Sequence, residues 1–474
     1  SIFIIIIISF DAFFAFVYQS KITMFILSSI FETNLIEAKE AISQIVVVVV
    51  LILSVTGFLI IAAQRELKKC NISRKRSALI LLIYFVVVIP PLAAVKTKKD
   101  IATLPALFEA DPLLTVESST KNIMPVFYGD LFTFGTYQYQ MLQMKSFVHK
   151  ERVLPKGIVF DSATVQPQKI YFIIGETARR DHFSLYGYPV KTTPFLDSLN
   201  QDRSVDFSYY KGVAPAPLTR EALRIILSFA SISDPKPFFE QKNIIELARE
   251  AGYETNWISN QDRVSVGDGY IGFVGSRSDY VSFRAITTQG KLDDLNLVDI
   301  VKKRYKPDKK QFFVIHLIGS HHLYEERYDD VDRQSIQGND IVADFDRSIH
   351  HTDRVFREVY HLAQKDPSAV IYYFSDHGEI IGKGHAMGWL QDYLAPVFAI
   401  STDTTIVNTK PLIEKYVDRE TSLINTSSTI YIMSEILGYK VPQNYVDMSI
   451  ADGKFVLDKD FRPILFSKVK KAVE

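Results

Sequence analysis

Three apolar runs crowd the first hundred residues, and no other feature restricts the folding of this chain as strongly. Ala41–Gln64 carries no charge and centres on Ile45-Val-Val-Val-Val-Val-Leu-Ile-Leu. Ser77–Val95 is also uncharged and contains Leu79-Ile-Leu-Leu-Ile-Tyr-Phe-Val-Val-Val-Ile, while Ser1–Ser20 is interrupted only by Asp11. Each run approaches the roughly 20 residues that a helix needs to cross a hydrocarbon core. A single run of this kind could be a buried core helix. Three of them, followed by a polar remainder, predict a membrane-embedded helical domain over residues 1–95. The chain starts at Ser1 without a methionine, and the first run has no basic segment before it. We therefore expect a truncated N-terminus with further spans missing, and not a cleaved signal peptide.

Orientation follows from the short loops. Arg65–Arg76 holds six basic residues against one acid, and basic loops stay cytoplasmic. Lys21, Glu32, Glu37, Lys39 and Glu40 then lie on the opposite side, and so does everything after Val95. The single cysteine, Cys70, falls in the cytoplasmic loop, so the exported part has no disulfide. In total, 54 basic residues balance 54 acidic ones, which gives no reason to expect nucleic acid as a partner.

Residues 96–167 are mixed and aromatic-rich, as in Phe127-Tyr-Gly-Asp-Leu-Phe-Thr-Phe-Gly-Thr-Tyr, and are read as a membrane-proximal connector. From residue 168 to 474 short apolar runs alternate with helical patterns. Candidate strands are Ile170–Ile174, Thr255–Ser259, Phe312–Ile318, Val370–Phe374 and Val397–Ile400. Candidate helices include Arg220–Ala230, Phe239–Ala251 and Asp344–Ala363. This alternation predicts an α/β domain with a mainly parallel sheet flanked by helices, whose ligands bind at the carboxyl ends of the strands.

Those strand ends carry metal-capable side chains. The first runs into Gly175-Glu-Thr-Ala-Arg-Arg-Asp-His, the third into His316-Leu-Ile-Gly-Ser-His-His and the fourth into Ser375-Asp-His-Gly-Glu. One such cluster could be a set of solvated, hydrogen-bonded side chains at the surface. Three at one rim suit a divalent metal with oxygen and nitrogen ligands. Thr219, in Ala214-Pro-Ala-Pro-Leu-Thr-Arg-Glu-Ala-Leu, follows two prolines and opens a helical pattern. It is either a plain N-cap or a hydroxyl set where helix N–H groups favour phosphate.

Gly175-Glu-Thr-Ala-Arg, Gly319-Ser-His and Ser375-Asp-His-Gly-Glu resemble the signatures of the phosphoethanolamine transferases, in the alkaline phosphatase and sulfatase superfamily. Ser184-Leu-Tyr-Gly-Tyr-Pro, Gly252-Tyr-Glu-Thr-Asn-Trp-Ile-Ser-Asn-Gln, the stretch Asp346–Asp353 and Phe31-Glu-Thr-Asn-Leu-Ile-Glu-Ala are similar to the same family. The resemblance implies an alkaline-phosphatase/sulfatase-like fold for 168–474. It implies zinc held by Glu176, Thr219, Asp376 and His377, with Thr219 as nucleophile in place of the neighbouring Thr177. It sets His321 and His385 on the substrate side for acid–base work. For His385, the stretch Gly382-Lys-Gly-His-Ala-Met-Gly is shorter than the family's usual spacing. Asn260 and Gln261 match substrate-contact positions loosely. His316, His322, His350 and His351 are read as strand, loop or helix-surface residues.

The implied reaction moves phosphoethanolamine from phosphatidylethanolamine to a hydroxyl of lipopolysaccharide, on lipid A or a core sugar, through a phosphoethanolamine-threonine intermediate. The implied location is the bacterial inner membrane, multi-pass, with the catalytic domain in the periplasm. Many members bracket the threonine with disulfides. This chain resembles the branch with a Pro-rich lead, some of whose members act on core sugars. Two alternatives stand beside this reading: a glycerophosphate transferase of the lipoteichoic-acid-synthase type, and a non-catalytic glycolipid-binding membrane protein. A sulfatase would need a Cys/Ser-x-Pro-x-Arg motif, which the sequence lacks.

Overall fold

The computed structural model describes residues 150–474 except 262–269, 284–292, 460, 461 and 474, with scattered helical positions in 50–83 and 132–147. The first expected membrane span, much of the other two, the loop at 31–38 and most of the connector lie outside these residues. Among the described residues no helix is long and apolar enough to cross a membrane. The chain divides into two units, Ser1–Gln143 and Met144–Glu474, and the second carries the architecture that follows.

Its centre is an eight-stranded sheet. In chain order the strands are β1 (Lys169–Gly175), β2 (Asp206–Val213), β3 (Glu254–Ser259), β4 (Tyr280–Phe283), β5 (Gln311–His316), β6 (Ala369–Ser375), β7 (Leu394–Ser401) and β8 (Leu423–Asn425). Across the sheet they lie in the order β4-β3-β5-β1-β6-β7-β2-β8. β1 pairs in parallel with β5 and β6, and every one of its residues is buried. That is why it reads as an unbroken apolar run: both faces are covered. Phe172 stacks on Phe312 and Tyr372 at 5.8 and 6.0 Å, locking the three central strands on one face.

Only β7 runs against the others, pairing antiparallel with both β6 and β2. The sheet is thus mixed, with seven strands in one direction. The five strands expected from sequence are all present, and β2, β4 and β8 are additional.

Helix α5 (Ile341–Ala363) lies over one face, with Phe345, Ile349, Val355, Phe356, Val359 and Leu362 joining the core that Tyr171, Ile173, Phe313 and Ile371 form. It starts at Asp340, whose carboxylate accepts from Ala343 N. The expected helix over 239–251 divides. A short turn at Pro237–Glu240 is followed by α3 (Ile244–Glu250), which Asn243 and Glu246 open with a reciprocal capping box. α1 (Pro194–Gln201), α2 (Thr219–Ile226), α4 (Leu295–Arg304), α6 (Thr429–Ile436) and α7 (Gln443–Asp452) complete the main helices.

Candidate active site and metal centre

Parallel strands deliver their carboxyl ends to one rim, and the polar motifs found in sequence follow those ends. Glu176 follows β1, Asp376 and His377 follow β6, Gln261 follows β3 and His321 follows β5. Thr219 opens α2, six residues beyond the end of β2. Because β7 runs backwards, it begins at this same rim, where Leu394 pairs with Val213. The loop from His377 to β7, which carries His385, therefore stays beside the site.

Glu176, Asp376 and His377 each offer one ligand atom, and these atoms all lie within 4.8 Å of one another. All three residues are buried. The Thr219 hydroxyl sits 3.1 Å from Glu176 Oε2 and 3.0 Å from His377 Nε2. His377 Nδ1 is 2.8 Å from the Gly378 carbonyl, which can only accept. Nδ1 therefore carries the proton, and the Nε2 lone pair faces the cluster. The backbone tightens the group further: Asp376 Oδ1 accepts from Thr177 N at 3.2 Å and His377 N at 2.7 Å.

The donor set suits a divalent metal. Burial pushes both the Glu176 and Asp376 carboxyls up, and for Glu176 the Asp376 charge adds to it. Asp376 Oδ2 is buried without a hydrogen-bond partner among the described residues. A pair of adjacent buried carboxylates with an orphaned oxygen is costly alone and is offset by a cation between them.

Thr177 has a different place from Thr219. It is fully buried, adopts φ 59°, and its hydroxyl donates to Glu176 Oε1 at 2.5 Å. Thr219 is partly exposed at the start of its helix, and its N-cap residue, Leu218, supplies no side-chain cap. A helix start of this kind turns its first N–H groups toward the site.

The two candidate acid–base histidines flank the cluster. The His385 ring lies 4.4 Å from that of His377 and 6.3 Å from that of His321. Burial lowers both His321 and His385, the latter well below the ordinary value with the neighbouring His377 and His321 contributing. His321 Nδ1 donates to the His322 carbonyl at 2.9 Å, leaving Nε2 as acceptor.

Gln261 reaches the cluster, donating to Glu176 Oε2 at 3.3 Å and to the Leu317 carbonyl at 3.0 Å. Asn260 does not: its amide donates to the buried Asp294 at 2.6 Å. Asp294 also accepts from Ile318 N and Gly319 N at 3.0 and 2.9 Å, holding the turn that leads to His321. Gly319 is required there, since its φ is +53° and a Cβ would meet the Glu176 carbonyl at 2.6 Å. Sequence reasoning did not single out Asp294. At the start of a helix it reads as a cap, and no local pattern points it at a turn 24 residues away.

Two of the histidines set aside on sequence need correction. His350 and His351 are not on a helix surface; both are buried and share the carboxylate of Asp332 at 2.6 and 2.8 Å. They face inward because α5 is covered along most of its length. His316 is in the strand as expected, fully buried, and burial lowers it to about 3.

The Sulfatase family model matches residues 168–438. Phosphoethanolamine transferase EptC of Escherichia coli O18:K1:H7 is 28% identical over 268 residues, 52% of this chain and 46% of that protein. Phosphoethanolamine transferase CptA of Salmonella typhimurium is 26% identical over 284 residues, 56% of this chain and 49% of that one. The chain spans about half the length of the curated relatives it matches. In fold, it is similar to the C-terminal periplasmic domain of EcEptC from Escherichia coli in complex with Zn, with TM-score 0.56 and 21% identity. That match covers 67% of this chain and 98% of the other. The integral membrane protein EptA of Neisseria meningitidis gives TM-score 0.66 at 19% identity, over 94% of this chain and 86% of that one. With the family model spanning more than half its length, this chain belongs to the sulfatase family of the alkaline phosphatase and sulfatase superfamily.

Proposed function

We propose that this chain is a zinc-dependent phosphoethanolamine transferase, anchored in the bacterial inner membrane with its catalytic domain in the periplasm. The observation that carries the reading is the Thr219 hydroxyl, at the start of a helix and within 3.1 Å of both Glu176 and His377. Relatives named phosphoethanolamine transferases support the transferred group, and one named as acting on Kdo(2)-lipid A supports a lipopolysaccharide acceptor.

Glu176, Thr219, Asp376 and His377 would hold the zinc. When bound, zinc lowers the pKa of the threonine hydroxyl and offsets charge on the transferring phosphoryl group. Thr219 Oγ1 attacks the phosphorus of phosphatidylethanolamine, and the bond from phosphorus to the diacylglycerol oxygen breaks. The N–H groups at the start of α2 bind the phosphoryl oxygens. His321 and His385, kept neutral by burial, pass the proton that Thr219 releases to the departing diacylglycerol oxygen. In the second half an acceptor hydroxyl attacks the phosphoethanolamine-threonine, the same pair takes its proton, and Thr219 returns. Gln261 helps to hold the Glu176 carboxylate, on the same oxygen that the Thr219 hydroxyl faces. Both lipids reside in a bilayer, which fits the apolar runs at residues 1–95.

Thr219→Ala tests the reading. Release of diacylglycerol from labelled phosphatidylethanolamine is expected to fall at least ~10³-fold, with the domain folded. Turnover at the wild-type rate would remove Thr219 as nucleophile.

A further inference from the structure

His385 stands on a segment poorly suited to hold a side chain still. In Gly382-Lys-Gly-His-Ala-Met-Gly the three glycines all have positive φ, at 74°, 89° and 73°, and Ala386 has φ 66°. Glycine has the largest backbone freedom in the absence of structure, so fixing this loop requires compensating bonds. Before His385, Gly384 exchanges two hydrogen bonds with Ile380 at 2.9 and 3.0 Å; after it, the bonds converge on one acid. Asp392 is fully buried, and its Oδ2 accepts from Met387 N and Trp389 N, both at 3.1 Å. Its own carbonyl accepts from Gly378 N at 2.8 Å, one residue beyond His377. Ala386 N donates to the Pro217 carbonyl at 2.9 Å, two residues before Thr219.

The loop is thus tied to the metal-ligand segment and to the nucleophile's lead-in, and Asp392 closes it. Gly378 makes the close approach possible, because a Cβ there would collide with the Gln391 carbonyl. From outside, Gln391 exchanges two hydrogen bonds with Ala472 at 2.9 Å, and Leu390 N donates to the Lys470 carbonyl at 2.8 Å. Asp392 itself touches none of Glu176, Thr219, Asp376 or His377 through its carboxylate. Its Oδ1 is buried without a partner among the described residues, so the site tolerates a costly acid for the sake of the two N–H groups it holds.

We propose that Asp392 is a positioning residue for His385, setting the glycine-rich loop so that the imidazole is presented to the cluster. The inference rests on the reading of His385 as an acid–base group in the transfer. Burial pushes the Asp392 carboxyl up to about 7, so a neutral amide at this place is a close substitute.

The test uses the full chain in detergent and single-turnover release of diacylglycerol from labelled phosphatidylethanolamine. Asp392→Ala is expected to lower the rate on the order of 10²-fold, with zinc content and KM near the wild type, as for a misplaced catalytic group. Asp392→Asn is expected to recover most of that loss, since its amide oxygen can accept both N–H groups. The double variant Asp392→Ala/His385→Ala is expected to be no slower than His385→Ala alone. Should alanine fail to fold, Asp392→Ser replaces it, being too short to bridge both N–H groups.

Multiplying losses in the double variant would overturn the proposal, as would an alanine variant at the wild-type rate or an asparagine variant as slow as alanine. A His385→Ala variant at the wild-type rate overturns it too, while leaving the Thr219 reading intact. That reading fails separately, by the absence of any adduct on Thr219 in the unaltered protein.

Discussion

Two clusters of acids and imidazoles lie in this domain, and they differ in what balances their charge. Around Glu176 and Asp376 the nearest groups are imidazoles, the hydroxyls of Thr177 and Thr219 and the Gln261 amide, and one carboxylate oxygen has no hydrogen-bond partner among the described residues. Around Asp332 every need is met. Its carboxylate is bound by His350 at 2.6 Å, by His351 at 2.8 Å and by Arg354 at 2.8 Å. Arg354 also binds Asp329 at 2.6 Å, and the far nitrogen of His351 binds Asp293 at 3.0 Å.

The contrast appears in protonation. Burial works against charge in both places, yet at Asp332 the hydrogen bonds from His350 and His351 win and hold the carboxyl well below its usual range. His351, buried but facing Asp293 and Asp332, is raised to about 9. Both of its ring nitrogens face carboxylates, as an imidazolium requires. Asp329, Asp332 and His351 could offer ligand atoms to a metal, but Arg354 already supplies the cation. Residue types alone do not separate a metal centre from an ion-pair network. An uncompensated buried charge does.

The largest effect that sharpens this contrast is expected from Glu176→Gln. Transfer should fall at least ~10³-fold, while the metal-free protein should melt no lower than the metal-free wild type, since a buried like-charge pair is relieved. Calorimetry after chelation, beside turnover of labelled phosphatidylethanolamine, reads both. A strongly destabilised metal-free variant would mean that the cluster is structural. Asp332→Asn should behave oppositely. It leaves Arg354 and His351 without their shared anion and should cost about 3–5 kcal/mol in stability. The folded fraction should still turn over.

A smaller effect concerns pH. His351 has a folded-state value of about 9, above its ordinary 6.5. Its contribution to stability is therefore full below about pH 6.5 and is lost as pH rises through 9. Denaturant titrations across pH 6.5–9.5 should show the wild type losing stability, and His351→Gln should be flatter over the same window. Parallel curves for the two proteins would remove the imidazolium from the account.

Much of the sheet was legible because its central strands are short, buried on both faces and rich in Ile, Val, Phe and Tyr. β2 was missed because Asp206, Ser208 and Lys211 interrupt it; β4 and β8 were missed because they are short edge strands. The start of α3 was readable in Asn243-Ile-Ile-Glu246, a capping-box spacing overrun by the apolar pattern from Phe239. The seven polar residues Glu176, Thr219, Gln261, His321, Asp376, His377 and His385 come together at one rim; strand-end position marked Glu176, His321, Asp376 and His377, while Thr219, Gln261 and His385 were given by the family resemblance. Asn260, His350 and His351 took partners 34, 18 and 19 residues away in sequence, which no local pattern encodes.

The central claim is that Thr219 carries the transferred group. Peptide mass spectrometry on the protein purified from membranes containing phosphatidylethanolamine tests it most directly. The account predicts a phosphoethanolamine adduct on the peptide holding Thr219, absent after Thr219→Ala. An adduct on Thr177, a glycerophosphate in place of phosphoethanolamine, or no adduct with zinc bound and donor saturating would contradict it.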